Sequence, residues 1–128
     1  MDKEILVDRD IEDGKKLIES LDRSLFQLKS ALWFYFTESE EWRLLLASPL
    51  IDVAGPRSCY NIIQSVIADM PQDFGISLER ISVISPRDRL IQLLSIAIRT
   101  GGGLSTIRFT DMTINGVFIK NALIYRLT

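Results

Sequence analysis

Asp8, Asp10, Glu12 and Glu19 fall at the first, third, fifth and twelfth positions of a calcium-binding loop, a spacing at which carboxylates surround a hard cation. The sixth position of such a loop needs glycine for its sharp turn; here it is Asp13, and Gly14 comes one residue late. Acidic residues at the start of a helix, where the dipole favours negative charge, account for the same run. Cys59 follows Pro56 and Arg57 in what should be the first turn of another helix, a place that can lower a thiol's pKa. With no histidine to act as its base, a small buried cysteine is the plainer reading. Glu41-Trp42-Arg43 approaches the Glu-x-Lys of magnesium-dependent nucleases, but it substitutes arginine and begins at a turn. There Glu38, Glu40 and Glu41 are explained equally well as solvated residues. Gly101-Gly102-Gly103 follows a helical stretch instead of opening one, so it cannot cradle a phosphate.

The absence of histidine removes the Ser-His-Asp and Cys-His nucleophile systems, the HExxH zinc proteases and Cys2His2 zinc sites together. One cysteine removes an internal disulfide and soft-metal sites, and suits a reducing cytoplasm. A formal net charge of −2 gives no electrostatic case for nucleic acid, although a local basic patch remains open. The opening MDKEILVDRD lacks a basic stretch followed by an apolar run, so no secretory signal is expected. No apolar run approaches the ~18 residues of a membrane span. No catalytic or metal-ligating set emerges, and no cofactor is expected.

What chemistry remains belongs to arginine. Ala47-Ser48-Pro49 through Gly55-Pro56-Arg57, and Ile84-Ser85-Pro86-Arg87-Asp88-Arg89, each lead a strand into a helix that begins Pro-Arg. If the two junctions meet at one edge of a sheet, Arg57, Arg87 and Arg89 stand near free helix N–H groups. Together they could hold a phosphate, a nucleic-acid backbone or a partner's carboxylates. Local neutralisation by Asp52, Asp88 or Glu79 is the competing explanation.

These residues need elements to position them. At 128 residues with 47% hydrophobic and 25% charged residues, the chain should form a single α+β domain over 1–128 with a core of its own. Its centre is Ala31–Ile51, which holds five of the eleven aromatic residues in two apolar runs, Ala31–Phe36 and Trp42–Ile51, around a polar turn. Neither run alternates. Ala31, Trp33 and Tyr35 face one way and Leu32, Phe34 and Phe36 the other; Trp42, Leu44 and Leu46 oppose Arg43, Leu45 and Ala47. A hairpin apolar on both sides must be covered on both sides, by its own helices or by another chain.

A first helix is expected from about Asp10 to Ser24, with Ile11, Leu17, Ile18, Leu21 and Leu25 on its apolar stripe. A second should start at Pro56 and run to about Met70, and a short strand should cover Glu79–Ile84. A third helix follows, with Ser85 as N-cap, Pro86 first inside and Asp88 at the third position; Gly101–Gly103 would end it. Its apolar residues from Leu90 to Ile98 imply deep burial. Thr106–Leu127 reads as a second hairpin turning at Asn115-Gly116, with a bulge near Asn121. The order α-β-β-α-β-α-β-β gives a mixed sheet of about five strands with three helices.

This pattern predicts a non-catalytic interaction or accessory protein of a bacterial cytoplasmic assembly. Trp33, Tyr35, Phe34 and Phe36 are the candidate interface, and a protein partner or a second copy in a homodimer covers it. The competing class is a small anion-, nucleotide- or nucleic-acid-binding domain, or a magnesium-dependent phosphoryl enzyme, working at Arg57, Arg87 and Arg89.

Overall fold

A computed structural model describes residues 5–128. Residues 1–4, which open the segment read for a secretory signal, lie outside the described part. Three helices and a five-stranded mixed sheet follow in the expected order: α1 (Asp8–Asp22), β1 (Ser30–Phe36), β2 (Glu41–Ala47), α2 (Leu50–Ala68), β3 (Ile81–Ile84), α3 (Arg89–Ala97), β4 (Ile107–Ile114) and β5 (Val117–Leu127). The strands lie side by side as β3-β2-β1-β5-β4. Only β2 and β3 run parallel; the other neighbours are antiparallel.

The two faces of β1 and β2 separate as their sequences require. Ala31, Trp33, Tyr35, Trp42, Leu44 and Leu46 pack with Leu17, Ile18 and Leu21 of α1 and Cys59 and Ile63 of α2. Leu32, Leu45 and Ala47 turn the other way, to Ile91 and Leu94 of α3 and the inner residues of β4 and β5. The connectivity explains this division. The segment containing α2 joins neighbouring parallel strands across one face, whereas α3 must carry the chain from one edge strand, β3, to the other, β4, across the opposite face.

Several boundaries differ from expectation, each for a local reason. Helix α1 ends at Asp22, so Leu25 lies beyond it and is exposed instead of joining the stripe. The second apolar run stops being strand at Ala47, and Leu50 and Ile51 open α2. There the Ser48 hydroxyl accepts the Leu50 N–H at 3.1 Å. Gly55, at φ 83° and ψ 172°, breaks that helix, and Pro56 restarts it where its missing N–H costs nothing. Asp88, not Ser85, caps α3: its Oδ1 accepts the Leu90 N–H at 2.9 Å. Ser85 instead closes the preceding turn, accepting the Arg87 N–H at 3.1 Å. The helix then ends at Ala97 in extended backbone, before the three glycines.

The second hairpin turns at Asn115 (φ 48°) and Gly116 (φ 79°), both left-handed as a type I′ turn demands. Near Asn121 the inward-facing positions change phase, from Ile107 and Phe109 to Met112 and Ile114 on β4 and from Ile119 to Ala122 on β5. Asp111, at φ 49°, absorbs the change while the pairing register is kept. The register shift itself lies further along, where Tyr125 is the extra residue between the pairs Leu32↔Ile124 and Ala31↔Arg126. That bulge aims Tyr125 and Arg126 together at α1. The Tyr125 hydroxyl accepts the Trp33 Nε1–H at 3.0 Å and donates to the Ile11 carbonyl at 2.7 Å. Arg126 grips Asp22 with two bonds of 2.8 and 2.7 Å. Gly14 leaves room for this contact, since a Cβ there would sit 2.3 Å from the Tyr125 hydroxyl.

Candidate functional site

The β1–β5 ladder closes at Phe34↔Ala122, although β1 continues to Phe36 and β5 begins at Val117. The tips of the two hairpins therefore part, and the left-handed Asp111 bends the second one where they do so. Between the tips is a cavity of about 300 Å³ lined by Phe34, Phe36, Glu38, Phe118 and Lys120, among others. The Phe34 and Phe36 rings meet edge to face at 4.9 Å. Both are half-buried, while Phe118 is 55% exposed. Lys120 lies 3.2 Å from Asp111, and within β2 Arg43 lies 3.7 Å from Glu41.

Coverage along this face of β1 declines toward the tip. Leu32 is fully buried, but Phe34 and Phe36 are not. The reason is the size of α3: nine residues, with only Ile91 and Leu94 buried. Ile96 is 61% exposed, so the deep burial expected of this helix is not found. Arg89, Leu90, Leu93 and Val117 line a second, mainly apolar cavity of about 270 Å³.

The four aromatic residues expected at an interface are thus divided. Trp33 and Tyr35 are buried against α1 and α2, and Phe34 and Phe36 remain on the partly open side. Three of these cleft residues, Glu38, Phe118 and Lys120, were not among the interface candidates. Glu38 reads as an ordinary turn residue. The position of Phe118 depends on the phase change between Ile119 and Ala122, for which Asn121 within an apolar strand is the one local signal.

The arginine junctions do come together, because they leave the same end of the parallel pair β2 and β3: Ser85 Oγ donates to Asp52 Oδ2 at 2.8 Å. Arg57, Arg87 and Arg89 are all exposed. Their helices depart on opposite faces of the sheet, α2 over the first and α3 over the second. It is therefore Asp52 and Ser85 that meet at the junction.

The other chemical candidates have structural partners. Asp8 through Glu19 are helical, which places the calcium-like spacing within α1. Asp13, nearly buried, accepts the Gly75 N–H at 2.8 Å and holds the loop before β3 against α1. Asp10 pairs with Arg80 at 2.9 Å, and that guanidinium lies 4.9 Å from the centre of the Trp33 ring. Arg43, within the nuclease-like triplet, donates to Ser82 Oγ at 2.9 Å. Cys59 is buried, and burial raises its pKa, so its thiol stays protonated. Among the described residues no cluster of three or more carboxylate and cysteine side chains could hold a metal ion. Among them too, no helix is long and apolar enough to cross a membrane.

No family model, curated protein or solved structure matches this chain.

Proposed function

We propose that the protein is a non-catalytic interaction module that docks a protein partner in the cleft between its two hairpin tips. The observation that carries this reading is the uneven closure of the sheet. One face is sealed by α1 and α2, while α3 leaves Phe34 and Phe36 half-buried beside an exposed Phe118. Aromatic side chains gathered at a concave, partly open site are the usual anchors of a protein interface. A cytoplasmic setting suits the reduced, buried Cys59.

The test uses exposed residues whose loss leaves the fold intact. Phe118→Ser should abolish co-purification of a partner from the native host, while Leu25→Ser, a similar change at an exposed site outside the cleft, should not. Equal recovery by both variants would sink the reading. Light scattering over a range of concentrations distinguishes a different polypeptide from a second copy: a dimer that Phe118→Ser dissociates identifies the chain as its own partner.

The Ser85–Asp52 bond favours a second reading, an anion site at the strand-to-helix edge, because it brings the two junctions together beside exposed Arg57, Arg87 and Arg89. Binding there would weaken as salt rises and would fall in Arg87→Ala.

A further inference from the structure

We propose that the partner enters the cleft with a basic side chain, an arginine in preference to a lysine, flanked by apolar residues; this rests on the reading of the cleft as a docking site. The argument is one of shape and charge together. A cavity of about 300 Å³ has room for one long side chain; it lies at the lower limit of the roughly 300–1,000 Å³ that drug-sized ligands occupy. Its walls are the Phe34–Phe36 pair and Phe118, ring surfaces against which the methylene stem of arginine can lie. A guanidinium over a phenyl face gains attraction from the ring quadrupole, and its planar shape suits that packing better than an ammonium does.

Charge points the same way. Of the ionic groups here, Asp111 is matched by Lys120 at 3.2 Å and Glu41 by Arg43 at 3.7 Å. Lys120 lines the cleft, but its charge is met locally by that pairing. Glu38 also lines the cleft, is exposed, and has no ion pair among the described residues. The cleft thus carries an unmatched carboxylate at its rim and aromatic walls within. A cation on an apolar stem satisfies both, while an acidic or purely apolar residue satisfies at most one.

A fluorescently labelled peptide with one central arginine between leucines tests this, beside the same peptide with citrulline, which keeps the shape and loses the charge. Anisotropy should show the arginine peptide binding about tenfold more tightly than the citrulline peptide. The preference should fade as salt rises and vanish in Glu38→Gln. Glu19→Lys, a larger change of charge on the exposed side of α1, should leave it in place. Equal binding of the two peptides, lost in Phe118→Ser, would overturn the basic partner and keep the docking cleft. Failure of both peptides to bind, or binding insensitive to Phe118→Ser, would overturn both. Self-association of the free protein that Phe118→Ser abolishes would assign the cleft to a second copy and overturn the basic partner.

Discussion

The two sides of β1 carry matched aromatic pairs, Trp33 and Tyr35 on one and Phe34 and Phe36 on the other, with different fates. The first pair lies under α1 and α2, and the Trp33 indole is tied through the Tyr125 hydroxyl to the backbone of α1. The second pair lies beyond the reach of α3 and opens on a cavity. Composition alone does not separate core from surface here. What separates them is how much helix the connectivity supplies to each face: two long helices to one side and a single nine-residue helix to the other.

That contrast is sharpest in stability. Trp33→Ala should cost about 3–5 kcal/mol, the range for a fully buried aromatic. Phe36→Ala should cost only about 1 kcal/mol, below the ~1.5–3 kcal/mol of complete burial. Urea melts of both variants beside wild type measure this; equal losses would show the second face to be as tightly closed as the first.

Gly14→Ala tests how closely the sealed side is packed. Its added methyl would press on the Tyr125 ring, and a loss of about 1–3 kcal/mol is expected. Tyr125→Phe removes the nearest atom, so the glycine substitution should cost less in that background, a coupling that a double-mutant cycle reads directly.

Alkaline pH should also act through the sealed side. Burial, with smaller contributions from the charges of Asp10, Glu12 and Asp13, pushes the Tyr125 hydroxyl far above its ordinary value, against the opposing pull of the Trp33 hydrogen bond. A folded pKa above the unfolded one means that this stability is complete below about pH 10 and is lost as pH rises toward the folded value. Urea midpoints should therefore decline above about pH 10 in wild type and decline less in Tyr125→Phe. Parallel profiles would show that Tyr125 is not the group responsible.

The smallest effects belong to the open side and the junction. Phe118→Ser and Arg87→Ala should each shift stability by no more than about 0.5 kcal/mol, as exposed substitutions do. A marked loss in Arg87→Ala, with no effect on binding, would make that arginine a structural residue.

Element order and the facing of the first hairpin were legible because both rest on local pattern: two continuous apolar runs around a polar turn, whose successive residues must face opposite ways, helical spacing in α1, and Asn115-Gly116 at a turn. Helix starts were less legible. Pro56 marked a real helical start but concealed the turns from Leu50 onward, since the break depends on the left-handed Gly55. Ser85 and Asp88 are both good caps, and the choice between them is settled by the turn that Ser85 closes. Which of the two facing aromatic pairs stays open was not legible. Whether Trp33 or Phe34 meets solvent depends on which face receives which helix, and that follows from strand order. Pairing of β1 with β5 links residues so distant along the chain that no local window contains both.

That pairing also governs how the molecule can assemble in time. β1 meets β2 across a short turn, but its other edge waits for β5, 92 positions on between Trp33 and Tyr125. Closing so long a loop comes late and slowly. Until it closes, a strand with two apolar sides presents a bare edge to its neighbours, the condition in which chains stick to one another. Refolding yield should therefore fall with protein concentration more steeply than native stability alone would suggest.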